Sequence, residues 1–433
     1  MAVIEYSVFS AAQVQCRLGN YAWVKGNQVQ VLSDPVTVSG EMGCICHCAM
    51  MHEKARSACD PQVRKPADYI DAQLPTKARC NMSLCGLPSV EIMGLLCVCF
   101  PEERAFFICA GGYSMSFIEM NIAAMLVGFI MDLIIGDPEG WPHPVIWVGK
   151  WISFLEKKLR KKGGNLRRSA PVLTVSTVVL AMLCTAAALA ILALIHKAAL
   201  FAGMCIISWW CLSAKCLAVE ARGVYRALEV SVEKGRTQVA RIVGRDTTEL
   251  SEEEITCATI ETVAENTTDG VIAPMLYLAL GGPVLAMGFK AASTLDSMVG
   301  YLDEKFRDIG WSSAKFDDVL NYIPARICGF LMCIGALFTG MDGKNAFRIM
   351  KRDHSNHLSP NCAWSESAAA GAMHIQLGGT HTYFGKVVEK PTIGDNDRPV
   401  EKKDINRANR LMYASSVLMA VIAAVSGLIG WII

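Results

Sequence analysis

Charge is scarce in this sequence. Only 19% of the 433 residues are Asp, Glu, Lys or Arg, and the 41 basic residues nearly balance the 40 acidic ones. A chain with so little charge and 52% hydrophobic residues does not have the composition of a disordered protein. Because it has no overall basic field, we expect no nucleic-acid partner. The mean hydropathy of +0.33 predicts a membrane protein with substantial polar loops.

Several familiar catalytic motifs are also missing. The sequence has no Walker motif GxxxxGKS/T, no GxGxxG fingerprint and no Ser-His-Asp nucleophile elbow. Chemistry with ATP would therefore need a non-standard phosphate site. No inverted repeat is present, which argues against a transporter. Asp and Lys residues near the apolar segments nevertheless keep the transporter as an alternative.

Cysteines are concentrated at the beginning of the chain. Ten of the 18 lie within residues 1–114, including Cys44-Ile-Cys-His-Cys48, whose side chains are ligands suited to zinc. The cysteine spacings repeat no CxxC…CxxC scheme, no second zinc knuckle follows at a ligand-like distance, and no signal peptide is evident. The character of the sequence changes at Met115. We therefore expect residues 1–114 to be a Cys-rich, erroneous upstream extension, which N-terminal peptide sequencing would test.

Long apolar runs predict the architecture. A helix needs about 20 apolar residues to cross a bilayer, and four runs approach or exceed that length: 118–135, 171–195, 199–214 and 411–433. Two weaker runs, 271–289 and 327–340, lie between them, and Gly281-Gly-Pro283 interrupts the first. We predict an all-α, polytopic integral membrane protein. It would have about four strong transmembrane helices, one or two re-entrant or buried apolar segments, and cytoplasmic helical loops.

Loop charges predict the orientation in the cell membrane. Residues 136–170 carry eight Lys or Arg against three acids, and residues 341–410 carry eleven Lys or Arg. Basic loops remain in the cytoplasm, so we place these two loops and residues 215–270 there, together with the active site. If both weak runs crossed the membrane, residues 290–326 would lie outside. We therefore expect one or both weak runs to be re-entrant or buried in protein.

Two polar clusters stand out early in this apolar background. The first contains Asp132 and Gly136-Asp-Pro, continuing to His143-Pro144, where a carboxylate beside a membrane helix suggests function. The alternative is that these residues only cap and end the helix. In the second cluster, Glu261, Glu265 and Asp269 share one helix face at i, i+4 and i+8. Like charges at that spacing repel, so a cation such as Mg²⁺ would relieve them. The alternative is a solvated acidic face.

Two further clusters follow the weaker apolar runs. Lys290 precedes a segment rich in Ser, Thr and Asp that includes Asp296, although a lysine there could simply snorkel to the interface. In the segment Phe316-Asp-Asp-Val-Leu-Asn-Tyr-Ile-Pro-Ala-Arg326, Asp317 suits a metal and Arg326 suits a phosphate. The alternative is a helix cap followed by a snorkelling arginine.

The fifth cluster contains Ser359-Pro-Asn361 and Leu377-Gly-Gly379. The first of these segments predicts a turn into a small-residue helix with Glu366 in its early turns. Gly378 and Gly379 would let backbone amides approach an anion. A double glycine more often marks a turn, so this signal is weak by itself.

In this order, the clusters resemble the CbiB/CobD family of adenosylcobinamide-phosphate synthases of cobalamin biosynthesis. The likeness covers essentially all of residues 115–433. The segments that carry it are Gly136-Asp-Pro with His143-Pro144, Val263-Ala-Glu-Asn-Thr-Thr-Asp-Gly-Val-Ile-Ala-Pro274, Thr294-Leu-Asp-Ser-Met-Val-Gly-Tyr301, Ile323-Pro-Ala-Arg326, Ser359-Pro-Asn361, Ala370-Gly371 and Leu377-Gly-Gly379, continuing to Tyr383 and Gly385.

The resemblance implies a membrane ligase of late cobalamin assembly. Such an enzyme joins adenosylcobyric acid to (R)-1-aminopropan-2-ol O-phosphate, or to aminopropanol, and consumes ATP with Mg²⁺. An acyl phosphate is the expected intermediate, because a carboxylate is a poor acyl donor. The bilayer is an implied partner, as are other late cobalamin-assembly enzymes of the membrane. A related membrane family has a regulatory role, so a sensor without enzyme activity is the alternative.

Residue roles follow from chemistry within the matching motifs. We expect Glu265, Asp269 and Asp296 to hold Mg²⁺ or the substrate ammonium, and Asp317 to be a second metal ligand or a base; these four are the expected catalytic residues. Contacts to the substrates or their phosphates are expected from polar residues in the same motifs: His143, Asn266, Lys290, Arg326, Asn361, Gly378 and Gly379.

Overall fold

The computed structural model describes residues 116–138, 140–301, 304–379 and 391–432, together with short strands elsewhere. The chain divides into two units, residues 1–98 and 99–433. In the first unit β1 (Val8–Phe9), β2 (Gln13–Gln15) and β5 (Thr37–Ser39) form an antiparallel sheet, and β3 (Tyr21–Lys25) pairs with β4 (Gln28–Leu32). The possible zinc ligands Cys44 to Cys48 lie outside the described residues. The expectation that residues 1–114 are an extension stays a prediction.

The second unit is almost entirely helical. Its helices are α1 (Phe117–Ile134), α2 (Pro144–Lys162), α3 (Leu166–Ile195), α4 (Lys197–Cys211), α5 (Ala214–Leu228), α6 (Val232–Val239), α7 (Glu252–Thr267), α8 (Ala273–Val299), α9 (Trp311–Leu320), α10 (Tyr322–Phe338), α11 (Gly343–Asp353), α12 (Cys362–Met373) and α13 (Asp404–Ile432). Its strands form three antiparallel pairs: β6 (Ile108–Cys109) with β7 (Tyr113–Ser114), β8 (Leu377–Gly378) with β11 (Thr392–Ile393), and β9 (His381–Tyr383) with β10 (Lys386–Val388).

Within the residues that the structure describes, five helical segments are long and apolar enough to cross a membrane. They are Phe117–Ile134, Leu166–Ile195, Lys197–Leu228, Glu252–Val299 and Asp404–Ile429. The pair α9 and α10, bent by 49°, is a broken span or a re-entrant segment. The predicted polytopic, helical membrane architecture is therefore confirmed. The weak run at 271–289 belongs to the fourth segment, and the run at 327–340 belongs to the bent pair.

Local sequence explains where several helices begin and break. Capping boxes of Ser116 with Glu119 and of Ser251 with Glu254 start α1 and α7, because each pair satisfies backbone N–H groups that the first turn leaves free. The Gly281-Gly-Pro283 segment breaks α8 as predicted. Gly282 there has φ 66°, and a Cβ at this position would lie 2.5 Å from the amide oxygen of Asn121.

A single π turn joins α7 to α8. It spans Thr268–Ile272 and carries Asp269. Such turns add one residue to a helical turn and occur often at functional sites. Its Gly270 carbonyl accepts hydrogen bonds from the backbone and hydroxyl of Ser213, at 3.1 and 3.2 Å. The turn is therefore tied to the loop between α4 and α5.

The core of the second unit surrounds α12. Every residue from Ala363 to Met373 except Trp364 is buried, and most have small side chains. Small residues permit close packing: a Cβ on Gly371 would lie 2.8 Å from the Asn345 carbonyl of α11, and one on Gly329 would lie 2.8 Å from the Trp364 carbonyl. Helix α12 therefore forms a buried support behind the polar residues described below.

Residues 391–404 are held to α11 and α13 by charge pairs. Arg352 donates two hydrogen bonds to Asp353, at 2.6 and 2.7 Å, and one to Asp395 at 2.6 Å. Arg348 reaches the other oxygen of Asp395 at 2.5 Å. We call these four residues the ion-pair network. At the start of α13, Arg398 similarly binds both carboxylate oxygens of Asp404, at 2.9 and 2.7 Å.

Candidate active site

Four acidic side chains from four consecutive elements come together at and beside the π turn. Glu265 lies at the end of α7, Asp269 in the π turn, Asp296 on α8 and Asp317 on α9. Their carboxylates are near enough to repel one another electrostatically. We call them the carboxylate cluster. These are the four residues that the sequence analysis selected as catalytic, and the fold brings them together from positions up to 52 residues apart (317 − 265).

Lys290 interacts electrostatically with this cluster. Its positive charge acts on Asp269 and on Asp132. The side chain is half-buried on α8, one and a half turns before Asp296. Lys290 therefore lies within electrostatic range of two carboxylates, and its contact with a phosphate stays a prediction.

Amide side chains beside the cluster present unused acceptors. Asn321 donates a hydrogen bond to Asp317 at 2.9 Å, and Asn361 donates to the Asp318 carbonyl at 2.8 Å. The Oδ1 atoms of Asn321, Asn361 and Asp317 are buried without a hydrogen-bond donor in the described part of the chain. Buried acceptors normally have partners. These oxygens are therefore suited to a cation or to the donor groups of a ligand.

The carboxylate cluster suits Mg²⁺ in only one binding mode, in which waters and substrate phosphates supply part of the coordination. Within the described residues, no group of three or more His, Cys, Asp or Glu side chains could hold a metal ion by itself. Mg²⁺, however, is usually bound through one or two carboxylates together with waters and substrate phosphates. Asp269 and Asp296 with the unused oxygen of Asp317 suit that mode, which needs a phosphate ligand to complete it. The metal role of Glu265, Asp269 and Asp296 stays a prediction.

A polar cavity of about 140 Å³ adjoins the carboxylate cluster at Glu265. Its wall holds a buried ion pair between Arg245 and Glu261, whose side chains are 7% and 10% exposed. The amide of Gly378 donates to Glu261 at 2.8 Å. Asn266 also lines the cavity, and its amide is bonded to its own helix, with Nδ2 2.9 Å from the Thr262 carbonyl. Glu265 thus belongs to both the cavity and the cluster.

The double glycine has the predicted unusual backbone. Gly378 and Gly379 have φ values of 75° and 93°, which other residues adopt at a cost. The Gly378 amide does approach an anion, but that anion is the protein's own Glu261 carboxylate. A Cβ on Gly379 would meet no atom within 4 Å among the described residues. An external anion at this turn stays a prediction.

Arg326 lies between two aromatic rings. Its guanidinium carbon is 3.4 Å from the centre of the Tyr322 ring and 4.8 Å from that of Trp364. One guanidinium nitrogen also donates to the Tyr322 carbonyl at 2.5 Å. Stacking orients the planar group while leaving its other donors for a phosphate.

His143 and Asp132 have local structural roles. Nδ1 of His143 accepts from the Val145 amide at 3.2 Å and caps α2, while Nε2 lies 3.1 Å from the Trp210 carbonyl. Burial lowers the pKa of His143, so the neutral ring with its proton on Nε2 satisfies both contacts. Asp132 accepts from the Ala214 amide at 2.9 Å and caps α5. Both placements match the capping alternative, and a substrate contact by His143 stays a prediction.

Two site residues were not identified from the sequence. Arg245 pairs with Glu261 across a loop, and no spacing rule links them. Cys362 donates a hydrogen bond to Glu265, with 3.2 Å between sulfur and oxygen. Burial, reinforced by Glu265 and Glu366, raises the pKa of the Cys362 thiol well above its usual value, so it is a neutral donor. Its position directly after Asn361 was the only available signal.

Known proteins resemble this chain over the same region. A family model described as CobD/Cbib protein matches residues 125–412. Cobalamin biosynthesis protein CobD of Listeria monocytogenes serotype 4b (strain F2365) is 47% identical over 299 residues, which cover 68% of this chain and 95% of that protein. Cobalamin biosynthesis protein CbiB of Salmonella arizonae is 45% identical over 303 residues, covering 69% and 95%.

A third relative extends this similarity to another bacterial group. Cobalamin biosynthesis protein CobD of Geobacter metallireducens is 44% identical over 304 residues, which cover 70% of this chain and 96% of that protein. No solved structure matches the chain.

Proposed function

This chain belongs to the CobD/CbiB family, and on that premise we propose that it acts in cobalamin biosynthesis as an ATP-dependent amide ligase of the membrane. The reaction joins adenosylcobyric acid to (R)-1-aminopropan-2-ol O-phosphate, or to aminopropanol, and yields adenosylcobinamide phosphate or adenosylcobinamide. The observation that carries the proposal is the convergence of Glu265, Asp269, Asp296 and Asp317 beside Lys290, within a chain of this family.

The chemistry requires activation of a carboxylate. An oxygen of the substrate carboxylate attacks the γ-phosphorus of ATP, ADP leaves, and an acyl phosphate forms. The amine nitrogen then attacks the acyl carbon, phosphate leaves, and the nitrogen loses a proton to a base. Lys290 and Arg326 would neutralise phosphate charge as it develops in the transition state, where such groups contribute most to the rate. Asp269, Asp296 and Asp317 would hold Mg²⁺, which would supply positive charge to the ATP phosphates.

A carboxylate must receive the proton of the attacking amine. Glu265 is the candidate of choice, because it lines the cavity and also belongs to the carboxylate cluster. The hydrogen bond from Cys362 fixes one of its oxygens. General bases need to lie within hydrogen-bond reach of the proton that they accept. An amine substrate in the cavity would meet this condition at Glu265.

The volume of the cavity determines which of the two substrates can enter it. A cavity of about 140 Å³ holds on the order of ten water molecules, which suits a small amino alcohol phosphate and excludes a corrinoid. Its wall carries Glu261, Glu265 and Glu366 against Arg245. The excess of negative charge favours the ammonium form of the amine. The corrinoid would then approach from outside the cavity, with only its propionate reaching the carboxylate cluster.

The decisive experiment is a synthase assay with the full-length chain in membranes. The chain, a vector control and residues 115–433 are each supplied with adenosylcobyric acid, Mg²⁺-ATP and the aminopropanol phosphate. Mass spectrometry then detects adenosylcobinamide phosphate. We expect product with the full-length chain only when ATP is present, and equal activity from residues 115–433.

Two results would contradict the proposal. If no product forms although the protein is correctly inserted, the regulatory alternative gains support. If corrinoid accumulates in sealed vesicles without consumption of ATP, the protein is a transporter. Aminopropanol tested beside its phosphate identifies the amine that the enzyme accepts.

A further inference from the structure

Helix α2 runs between two membrane spans without being one itself. Helix α1 ends at Ile134, helix α3 begins at Leu166, and helix α2 occupies Pro144–Lys162 between them. The connections before and after α2 are short, so both of its ends are held near the same face of the membrane. Helix α2 is about 28 Å long at 1.5 Å per residue, and we place it along that face.

The surface of α2 has three different sides. Ile152 is fully buried and packs in a cluster with Leu173 of α3 and Leu295 of α8. Trp147 and Phe154 are 60% and 55% exposed. Basic side chains occupy much of the remaining surface: Lys150, Lys157, Lys158, Lys161 and Lys162. Exposed aromatic residues beside lysines are typical of helices that lie in the membrane interface.

A groove of about 550 Å³ runs along α2 where it meets α8. The polar residues of its lining are Lys150, Ser153 and Lys157, which share a helix face at i, i+3 and i+7. The apolar residues of its lining are Ile146, Phe154 and Met298. None of the described residues that line the groove is acidic. The groove therefore combines two positive charges with apolar surface.

We propose that this groove binds an anionic phospholipid. The headgroup phosphate lies between Lys150 and Lys157 and accepts a hydrogen bond from Ser153, and an acyl chain lies against Ile146, Phe154 and Met298. Charge complementarity selects an anionic headgroup, because two lysines line the groove without an opposing acid. Exposed apolar surface favours a lipid over a soluble anion, because Ile146 and Phe154 of the groove are 48% and 55% exposed and can cover an acyl chain.

The lipid site lies on the same helix as part of the candidate active site. Met298 of the groove is two residues after Asp296 of the carboxylate cluster. The lipid would thus contact α8 about half a turn from a predicted catalytic residue. Binding at the groove, however, does not depend on the proposed reaction and can be measured without it.

Native mass spectrometry of the full-length chain tests the site. The purified protein is titrated with phosphatidylglycerol and, separately, with phosphatidylcholine, and the affinity of the first bound lipid is compared. We expect wild-type protein to prefer phosphatidylglycerol. The double variant Lys150→Gln/Lys157→Gln should lose that preference, since each interfacial lysine contributes about fivefold to the binding of anionic lipid. The matched control Lys161→Gln/Lys162→Gln removes the same charge from the same helix outside the groove and should keep the preference.

A second variant distinguishes a loss of lipid binding at the groove from a general folding defect. Ser153→Phe keeps both lysines but fills the groove, and we expect it to reduce phosphatidylglycerol binding by at least fivefold. Equal affinity for the two lipids in wild-type protein would overturn the proposal. So would an equal loss in the Lys161/Lys162 control, since that outcome indicates diffuse surface charge. Full displacement of the lipid by inorganic phosphate would show an anion site without a role for the acyl chain, and would also overturn it.

Discussion

Acidic residues have opposite surroundings in two regions of this molecule. In the ion-pair network, Asp353 and Asp395 are bound by Arg352, and Arg348 adds a further bond to Asp395. In the carboxylate cluster, Asp269, Asp296 and Asp317 repel one another. The positive charge of Lys290 opposes that repulsion at Asp269.

These opposite surroundings distinguish acids that stabilise the fold from acids that we propose to act in the reaction. A carboxylate with two arginine partners stabilises the segment that carries it. Carboxylates that repel one another destabilise the folded chain, and they are retained where a ligand cation or a reacting group compensates. The ion-pair network therefore explains how residues 391–404 are held. The carboxylate cluster is where we propose that the chemistry occurs.

The largest expected effect is from Asp269→Asn. Removal of a key charge from an active site typically lowers turnover by two to four orders of magnitude, about 3–5 kcal/mol of barrier. Because the substitution also removes one of the repelling charges, we expect the midpoint of thermal unfolding in detergent to rise. Turnover is measured by the mass-spectrometric assay, and insertion is checked by membrane fractionation. Wild-type activity in this variant would remove Asp269 from the site.

Glu261 is intermediate between the two regions, because it is an ion-paired acid that lies inside the candidate site. Variants of its pair with Arg245 test what this pairing contributes. Arg245→Met leaves Glu261 buried without its partner, which typically costs about 3 kcal/mol of stability. Chemical denaturation measures the loss. The double variant Arg245→Met/Glu261→Gln should recover most of it, since a neutral amide can still accept from Gly378. A double variant as unstable as the single one would show that Arg245 acts mainly through packing.

Asp395→Asn is the matched counterpart of Asp269→Asn in the ion-pair network. We expect full activity and a loss of about 1 kcal/mol, as is usual for partly exposed ion pairs. Hydrogen bonds from Arg352 and then Arg348 lower the pKa of Asp395. Its stabilisation is therefore complete above the unfolded value near 3.8 and is lost as pH falls through the lower folded value.

The pH dependence of unfolding checks this assignment. Between about pH 5 and pH 3 the wild-type unfolding midpoint should fall more steeply than that of Asp395→Asn. Parallel curves, or a loss of activity in the variant at neutral pH, would contradict a purely stabilising role.

The smallest expected effect concerns Cys362. Its neutral thiol donates to Glu265, and a single hydrogen bond of this kind contributes about 1 kcal/mol. Cys362→Ala should therefore lower turnover roughly fivefold, whereas Cys362→Ser, which keeps a donor, should remain close to wild type. If both variants behave alike, the hydrogen bond has no role in positioning Glu265.

Much of this organisation could be predicted from the sequence. The apolar runs identified the membrane helices because length and hydropathy alone decide whether a helix can cross a bilayer. The break at Gly281-Gly-Pro283 was predicted correctly, since Gly282 has a backbone that favours glycine. Glu265, Asp269, Asp296 and Asp317 were selected by residue type and family resemblance, and the fold brings them together.

Contacts formed by tertiary packing could not be predicted. Arg245 meets Glu261, and Cys362 meets Glu265 across 97 residues, and no local spacing rule encodes either pair. The helical template placed Glu261 on one face with Glu265 and Asp269, but Glu261 faces Arg245 and Gly378. Orientation in the membrane and the status of residues 1–114 stay predictions.

The π turn has a consequence for insertions and deletions. Each residue of an α-helix advances the chain by about 100° around its axis, so the extra residue at Thr268–Ile272 sets the rotational phase of α8 relative to α7. Deleting one residue within the turn would restore regular hydrogen bonding while rotating Lys290 and Asp296 away from Glu265. Folding and membrane insertion should therefore tolerate a conservative substitution in this turn, such as Asp269→Asn, far better than any change in its length.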